Sequence, residues 1–284
     1  MENTKKAIIL DMDETLEHGI SLSSYDIGNE YIMVLRPYLD ELIIKLKQAK
    51  EQEIDIILCT TARDIWVNRF LALKPEFKDL FDKKYTRDNE EEWRNYSKET
   101  NPLEYDARNQ NINLEYSKPV TTFGYDSILF IDDSKIESVR LQILFELTQG
   151  KLKKDVTFFT GFGFNGGKVA WNKIISYKKA SSQNQELSEK LKEYIELERN
   201  NIGCLLMCSA IDRFINKEFK AGLTLVDEVY IEEYNVFDRK ISLLQEQLEK
   251  VSLEMNNQLF NCEEDDLKQI LNADKKYVYE GIEI

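Results

Sequence analysis

Four short apolar runs, at residues 7–10, 54–59, 127–131 and 156–159, are separated by stretches whose apolar residues recur every three or four positions. An apolar run of this length bounded by polar turns reads as a strand buried on both faces, and helical spacing between such strands implies parallel pairing. Helices are expected where Arg36-Pro37 opens a pattern of Leu39, Leu42, Ile43 and Leu46, over 64–73, and behind a Ser134 cap through Val139, Ile143, Leu144 and Leu147. The fold class is therefore α/β, with a Rossmann-like parallel sheet. Two segments interrupt the alternation: 17–35, which reads as a hairpin flap, and 85–116, a polar excursion rich in Asn, Glu and Arg.

Open parallel sheets carry their chemistry just beyond the C-terminal ends of the strands. Here the first run ends in Asp11 and Asp13, followed by Thr15. Asp11 is placed to attack phosphorus, and Asp13, two residues on, to protonate a leaving oxygen. By itself this spacing is a weak signal, equally compatible with an exposed turn at a strand end. Three further strand-associated groups strengthen it. Thr60 and Thr61 follow the second run, where hydroxyls and free backbone N–H groups can bind phosphate oxygens. Lys118 precedes a proline ahead of the third run, and Asp132 with Asp133 follows it. A nucleophile, a hydroxyl, a lysine and an acid pair in this order rarely arise by chance.

Composition excludes several other chemistries. The net charge of -14 disfavours a broad electrostatic grip on nucleic acid. The cysteines, Cys59, Cys204, Cys208 and Cys262, show no zinc spacing, and His18 is the one histidine, so most metal-thiolate and Ser-His triad chemistry is disfavoured. Unpaired cysteine usage fits a reducing, cytoplasmic compartment. No apolar run approaches the roughly 20 residues needed to cross a bilayer, and the one near the N-terminus is too short for a signal peptide. His18 reads either as a site residue or as a solvent-facing flap residue. Arg63 reads either as an anion-binding group or as half of a surface ion pair, and Cys59 reads as core.

DMDETL, CTT, Lys118 and IDDS together resemble the four ordered motifs of the haloacid dehalogenase (HAD) superfamily of phosphatases. DMDETLEHG, VLRPYLDEL and the YSK that leads to LFIDDS are similar to the NLI-interacting-factor-like, small C-terminal-domain phosphatases and to the magnesium-dependent phosphatase type, over about residues 5–165. The resemblance implies a HAD core with a small cap or none. It also implies that Asp11 forms an aspartyl-phosphate while Asp13 acts as acid and then base. Thr60 or Thr61 would bind the phosphoryl group, and Lys118 would neutralise it. Mg²⁺ would be held by Asp11, the backbone carbonyl of Asp13, and one or both of Asp132 and Asp133. The four carboxylates exceed the combined charge of Lys118 and Mg²⁺ by one, and Asp13 is the acid whose protonation would cancel the excess.

The expected substrate is a phosphorylated protein, with phosphotyrosine ahead of phosphoserine or phosphothreonine. The layout resembles HAD-type phosphotyrosine phosphatases that intracellular bacterial pathogens export into host cells, which adds export as a second localisation. A small-molecule or nucleic-acid-end phosphatase is one alternative, and an interaction protein whose tail does the work is another. The expected organisation is a phosphatase domain over 1–180 and a helical tail over 186–284, joined near 177–185 by the polar SYKKASSQNQ. The glycines between 161 and 167 read as a turn and do not match a P-loop. Stripes at Leu187, Leu191 and Tyr194, and at Phe237, Ile241, Leu244, Leu248, Val251 and Met255, read as a helical hairpin about Gly222, with a short last helix from 263. These stripes either pack on each other or form a docking face for a protein or a membrane surface. Acidic residues outnumber basic ones across the tail, which disfavours unspecific adhesion to anionic lipid.

Overall fold

The computed structural model describes residues 4–21, 31–114, 117–148, 151–152, 154–160, 203–226 and 279–282, together with isolated helical positions at 189, 193 and 243. The chain divides into two units. The first comprises residues 1–15, 40–161 and 205–227, and the second residues 16–39, 162–204 and 228–284.

The first unit is built on a parallel sheet with strand order β5-β4-β1-β6-β7-β8. Its strands are β1 (Lys6–Leu10), β4 (Ile54–Cys59), β5 (Lys83–Tyr85), β6 (Ser127–Asp132), β7 (Asp155–Thr160) and β8 (Leu223–Val226). The four apolar runs become the four central strands, because runs dominated by Ile, Leu, Val and Phe suit a strand covered on both faces. Ala7, Ile8, Ile9 and Leu10 are fully buried, and Phe130 and Phe158 on β6 and β7 meet edge to face at 5.3 Å between ring centres. The helices α1 (Leu39–Lys50), α2 (Asp64–Leu73) and α5 (Lys135–Leu147) supply the expected crossovers. Helix α1 carries Asp40 and Glu41 in its first turn and Lys47 and Lys50 in its last, matching the helix dipole at both ends.

Two local expectations need correction. Helix α1 begins at Leu39, two residues beyond Pro37, after Tyr38 has taken a left-handed conformation with φ of 64°. Ser134 occupies the cap position of α5, but its side chain makes no capping hydrogen bond. The backbone N–H of Ser134 instead donates to Asp132 Oδ1 at 2.7 Å, so the acid that ends β6 also fixes the start of the helix. The polar excursion over 85–116 folds into two helices, α3 (Glu90–Thr100) and α4 (Pro102–Gln110). They are fastened to the sheet unit by Trp93, which stacks edge-on against Phe123 at 4.6 Å.

The described part of 186–284, the span read as a helical tail, includes a strand of the sheet. Helix α6 (Gly203–Ile215) and β8 lie within that span, yet from Leu205 onward they cluster with the sheet. On α6, Met207, Ala210, Ile211 and Phe214 form a buried stripe, and Asp212 pairs with Lys45 of α1 at 2.8 Å. Strand β8 adds to β7 in parallel, with Val156 opposite Leu223 and Phe159 opposite Val226. Gly222 is the turn into this strand: it holds φ of 84°, and its N–H donates to Asp155 Oδ1 at 2.8 Å. The proposed hairpin stripes, the last helix from 263 and the glycine-rich stretch over 161–167 lie outside the described residues, apart from the isolated helical positions. A chain ended at residue 182 would lose β8, which pairs with the edge of β7, and α6 with its buried stripe. Such a truncation should show no cooperative thermal unfolding by circular dichroism. A sharp melting transition would show that the sheet is complete without them.

The second unit contains a three-stranded antiparallel sheet of β2 (Glu17–Ser21), β3 (Tyr31–Leu35) and β9 (Tyr279–Ile282), in the order β2-β3-β9. Strands β2 and β3 are the hairpin expected over 17–35, with Glu17 opposite Leu35 and Ser21 opposite Tyr31. Also in this unit, Gly203 lies against the buried guanidinium of Arg36, so closely that a Cβ at this position would collide with it. Among the described residues no helix is long and apolar enough to cross a membrane.

Candidate active site

Sheet register brings the site together. Leu10 of β1 lies opposite Leu58 of β4 on one side and Ile131 of β6 on the other, so Asp11, Cys59 and Asp132 emerge side by side. The ladder runs one step past β1, because the N–H of Asp11 donates to the carbonyl of Ile131 at 2.9 Å. Likewise Thr60 N–H donates to Tyr85 O at 3.0 Å, holding the end of β4 against β5. Beyond Asp13 the chain turns sharply, with Glu14 at φ of 58°, and Thr15 N–H closes the turn on Met12 O at 3.1 Å. A left-handed glutamate is a strained conformation that the surrounding contacts must hold in place.

Lys118 lies at the centre of the acids. Its Nζ is 2.5 Å from Asp11 Oδ1 and 2.6 Å from Asp132 Oδ2, and its side chain is only 6% exposed. Burial alone would lower the affinity of this amine for its proton, but Asp11 and Asp132 outweigh that and hold its pKa well above the ordinary lysine value. Burial pushes Asp11 well above the usual carboxylate range. Lys118 pulls the other way, and crowding by Asp132, Asp13 and Asp133 adds to the rise. Thr15 Oγ1 lies 3.4 Å from Asp11 Oδ2.

Asp11, Asp132 and Asp133 each place one carboxylate oxygen within 4.8 Å of the others. Three acids with one lysine leave a charge of minus two in a mostly buried space, and an all-oxygen donor set suits a hard divalent cation such as Mg²⁺. The residues present therefore fit the ion. Asp132 is fully buried and is held by both Lys118 and the Ser134 N–H, whereas Asp133 is only partly buried.

On the other side of Asp11, Thr60 is fully buried, with its Oγ1 3.5 Å from Asp13 Oδ2 and accepting the Ala62 N–H at 3.0 Å. Thr61 is exposed, so of the two candidate threonines Thr60 is the one brought to the acids. Cys59 is fully buried, and burial pushes its thiol well up, as befits a core residue. Arg63 is 67% exposed and pairs with Asp88 at 3.1 Å, which favours the surface ion pair over the anion-binding reading. His18 is a partly buried residue of β2 in the second unit.

Four charged residues near the site, in two ion pairs, carry no motif. Glu137, buried in the first turn of α5, accepts the backbone N–H of Lys118 at 3.2 Å and pairs with Arg140. Glu104 and Arg108 on α4 form a further ion pair at 2.7 Å. In the sequence, Glu104-Arg108 and Glu137-Arg140 look like ordinary surface pairs at helical spacing, and only their burial marks them out.

Residues 6–141 match the family model for NLI interacting factor-like phosphatases. No curated protein and no solved structure matches the chain.

Proposed function

With residues 6–141 forming a phosphatase domain of the NLI interacting factor-like family, within the HAD superfamily, we propose that this chain hydrolyses phosphomonoesters through an aspartyl-phosphate on Asp11. The reaction depends on Mg²⁺, and the substrate is a phosphorylated protein, phosphotyrosine before phosphoserine or phosphothreonine. The observation that carries the reading is Lys118 Nζ between Asp11 and Asp132, with Asp133 completing an acid cluster at the ends of neighbouring parallel strands.

In the first half-reaction a carboxylate oxygen of Asp11 bonds to phosphorus as the bond to the leaving oxygen breaks, and Asp13 gives that oxygen its proton. In the second, Asp13 takes a proton from water as the water oxygen bonds to phosphorus, which frees the Asp11 carboxylate and releases phosphate. Thr60 binds the phosphoryl oxygens and Lys118 neutralises their charge. Mg²⁺, held by Asp11, Asp132 and Asp133 with the Asp13 carbonyl, would supply further positive charge to the phosphoryl oxygens. Asp13 suits the proton-transfer role by position, since it sits beside the Thr60 hydroxyl and is less buried than Asp11.

A protein substrate is supported by the accessible rim of this unit, where Thr61 is exposed and Asp13 and Asp133 are partly so. The 85–116 excursion is a pair of short helices and no full lid domain. Preference for phosphotyrosine rests on the sequence resemblance alone. Turnover of a generic aryl phosphate and of a phosphopeptide panel, with Mg²⁺ and with EDTA, tests the proposal. We expect activity only with Mg²⁺ and fastest release from phosphotyrosine peptides. Activity that persists in EDTA would remove the metal from the mechanism, and a preference for small phosphate esters over every peptide would remove the protein substrate.

A further inference from the structure

We infer that Arg108 of α4, anchored by Glu104, is a positioning residue that sets where Lys118 stands in the site. The inference rests on the phosphatase reading above. Arg108 is 15% exposed and spreads its guanidinium between two sets of acceptors. On one side, Nε and Nη2 donate to Glu104 Oε1 at 2.9 and 2.7 Å. On the other, Nη2 donates to the backbone carbonyl of Lys118 at 2.9 Å, and Nη1 to the carbonyl of Ser117 at 2.7 Å and to the Ser117 hydroxyl. Glu104 is fully buried, and its second oxygen accepts from Asn101 Nδ2 at 2.9 Å and from the Thr121 hydroxyl.

Taken with Glu137, which accepts the Lys118 N–H, this leaves both backbone polar groups of Lys118 held by charged side chains from two different helices. A surface loop has no need of such bracing. Lys118 has a long, flexible side chain, and its Nζ must lie within 2.5–2.6 Å of two acids. Fixing its backbone removes the main freedom by which that nitrogen could drift, and small displacements of a charge-stabilising group are costly to rate. A planar guanidinium spreads its donors over Glu104, the Lys118 carbonyl and Ser117 together, whereas the single nitrogen of a lysine could stand where Nη2 does but would leave the Ser117 groups unheld. The polar excursion, which has no motif of its own, thereby acquires a part in the chemistry.

The test compares wild type, Arg108→Lys and Glu104→Gln on an aryl phosphate with Mg²⁺, measuring kcat and the inhibition constant of vanadate, a phosphoryl mimic. An irreversibly inactive fraction lowers kcat and leaves the inhibition constant unchanged, and a melting curve that shows each variant folded at the assay temperature removes the reversible case, so the two together separate positioning from mere loss of structure. In Arg108→Lys we expect kcat to fall about tenfold and vanadate to bind about fivefold more weakly. Unchanged kcat, or a fall in kcat with unchanged vanadate binding, would overturn the inference. Should Arg108→Lys fail to fold, Glu104→Gln decides, with a smaller loss in both quantities supporting the inference and no loss in either overturning it. A wild type that turns over no phosphate ester would count against the phosphatase reading itself and would be seen before any variant is compared.

Discussion

Asp11→Asn should abolish phosphate-ester turnover, with a loss on the order of 10⁴ or more in kcat, while leaving the fold in place. Asparagine matches aspartate in size but has no carboxylate with which to bond phosphorus, so the step that forms the covalent intermediate disappears. The fold should survive because Lys118 keeps Asp132 as a partner at 2.6 Å. Asn also removes the buried carboxyl that Asp132, Asp13 and Asp133 crowd, so the cluster loses a charge rather than gaining strain. Two measurements check this: turnover of an aryl phosphate, and the mass of rapidly quenched protein, which should carry a phosphoryl group in wild type and none in the variant. Turnover that persists in Asp11→Asn would transfer the nucleophile's role to water and end the aspartyl-phosphate mechanism.

The sequence makes the sheet centre readable because burial on both faces leaves little choice of residue. The runs ending at Leu10, Cys59, Ile131 and Phe159 are dominated by apolar residues, and candidate site residues follow directly after the first three. Edges carry no such signal. Strand β5 is Lys-Lys-Tyr, short and with two of its three residues charged, and β8 is Leu-Thr-Leu-Val, partly buried throughout at the sheet edge, a pattern that a helix could equally show. Reading β8 and α6 as part of a helical tail follows from that ambiguity, since the buried stripe of α6 does not say against which surface it packs.

The same contrast separates the site residues. Asp11, Asp13, Thr60, Lys118 and the Asp132-Asp133 pair are recognisable because their order along the chain is itself the signal. The choice between Thr60 and Thr61 needs the structure, because neighbouring residues differ in burial and not in chemistry. Glu104, Arg108 and Glu137 stay hidden for a different reason. Their action is on the backbone of another segment, and a backbone carbonyl leaves no trace in the sequence of the side chain that holds it.

Lys118→Met should be the most damaging substitution for stability and the second most damaging for activity. Methionine is close to lysine in length and fills the same buried volume, so the change isolates the charge. It leaves Asp11 and Asp132, both nearly inaccessible to water, facing one another with no cation between them. Removing one partner of a buried ion pair costs about 3–5 kcal/mol, since the remaining charge stays buried. For a unit of this size that corresponds to a fall of roughly 10 °C in melting temperature. The acid cluster has also become one charge more negative, so added Mg²⁺ should raise the melting temperature of the variant by more than it raises that of wild type. Turnover should not recover with it. A divalent ion can offset the charge of the acids, but it does not stand where Lys118 meets the transferring phosphoryl group, and we expect kcat to remain down by about 10²–10³. Melting curves and kcat, each across a Mg²⁺ titration, read the two effects separately. A variant whose activity returns along with its stability would reduce Lys118 to a structural counter-ion, and one that keeps wild-type stability without Mg²⁺ would mean the acids were never charged together.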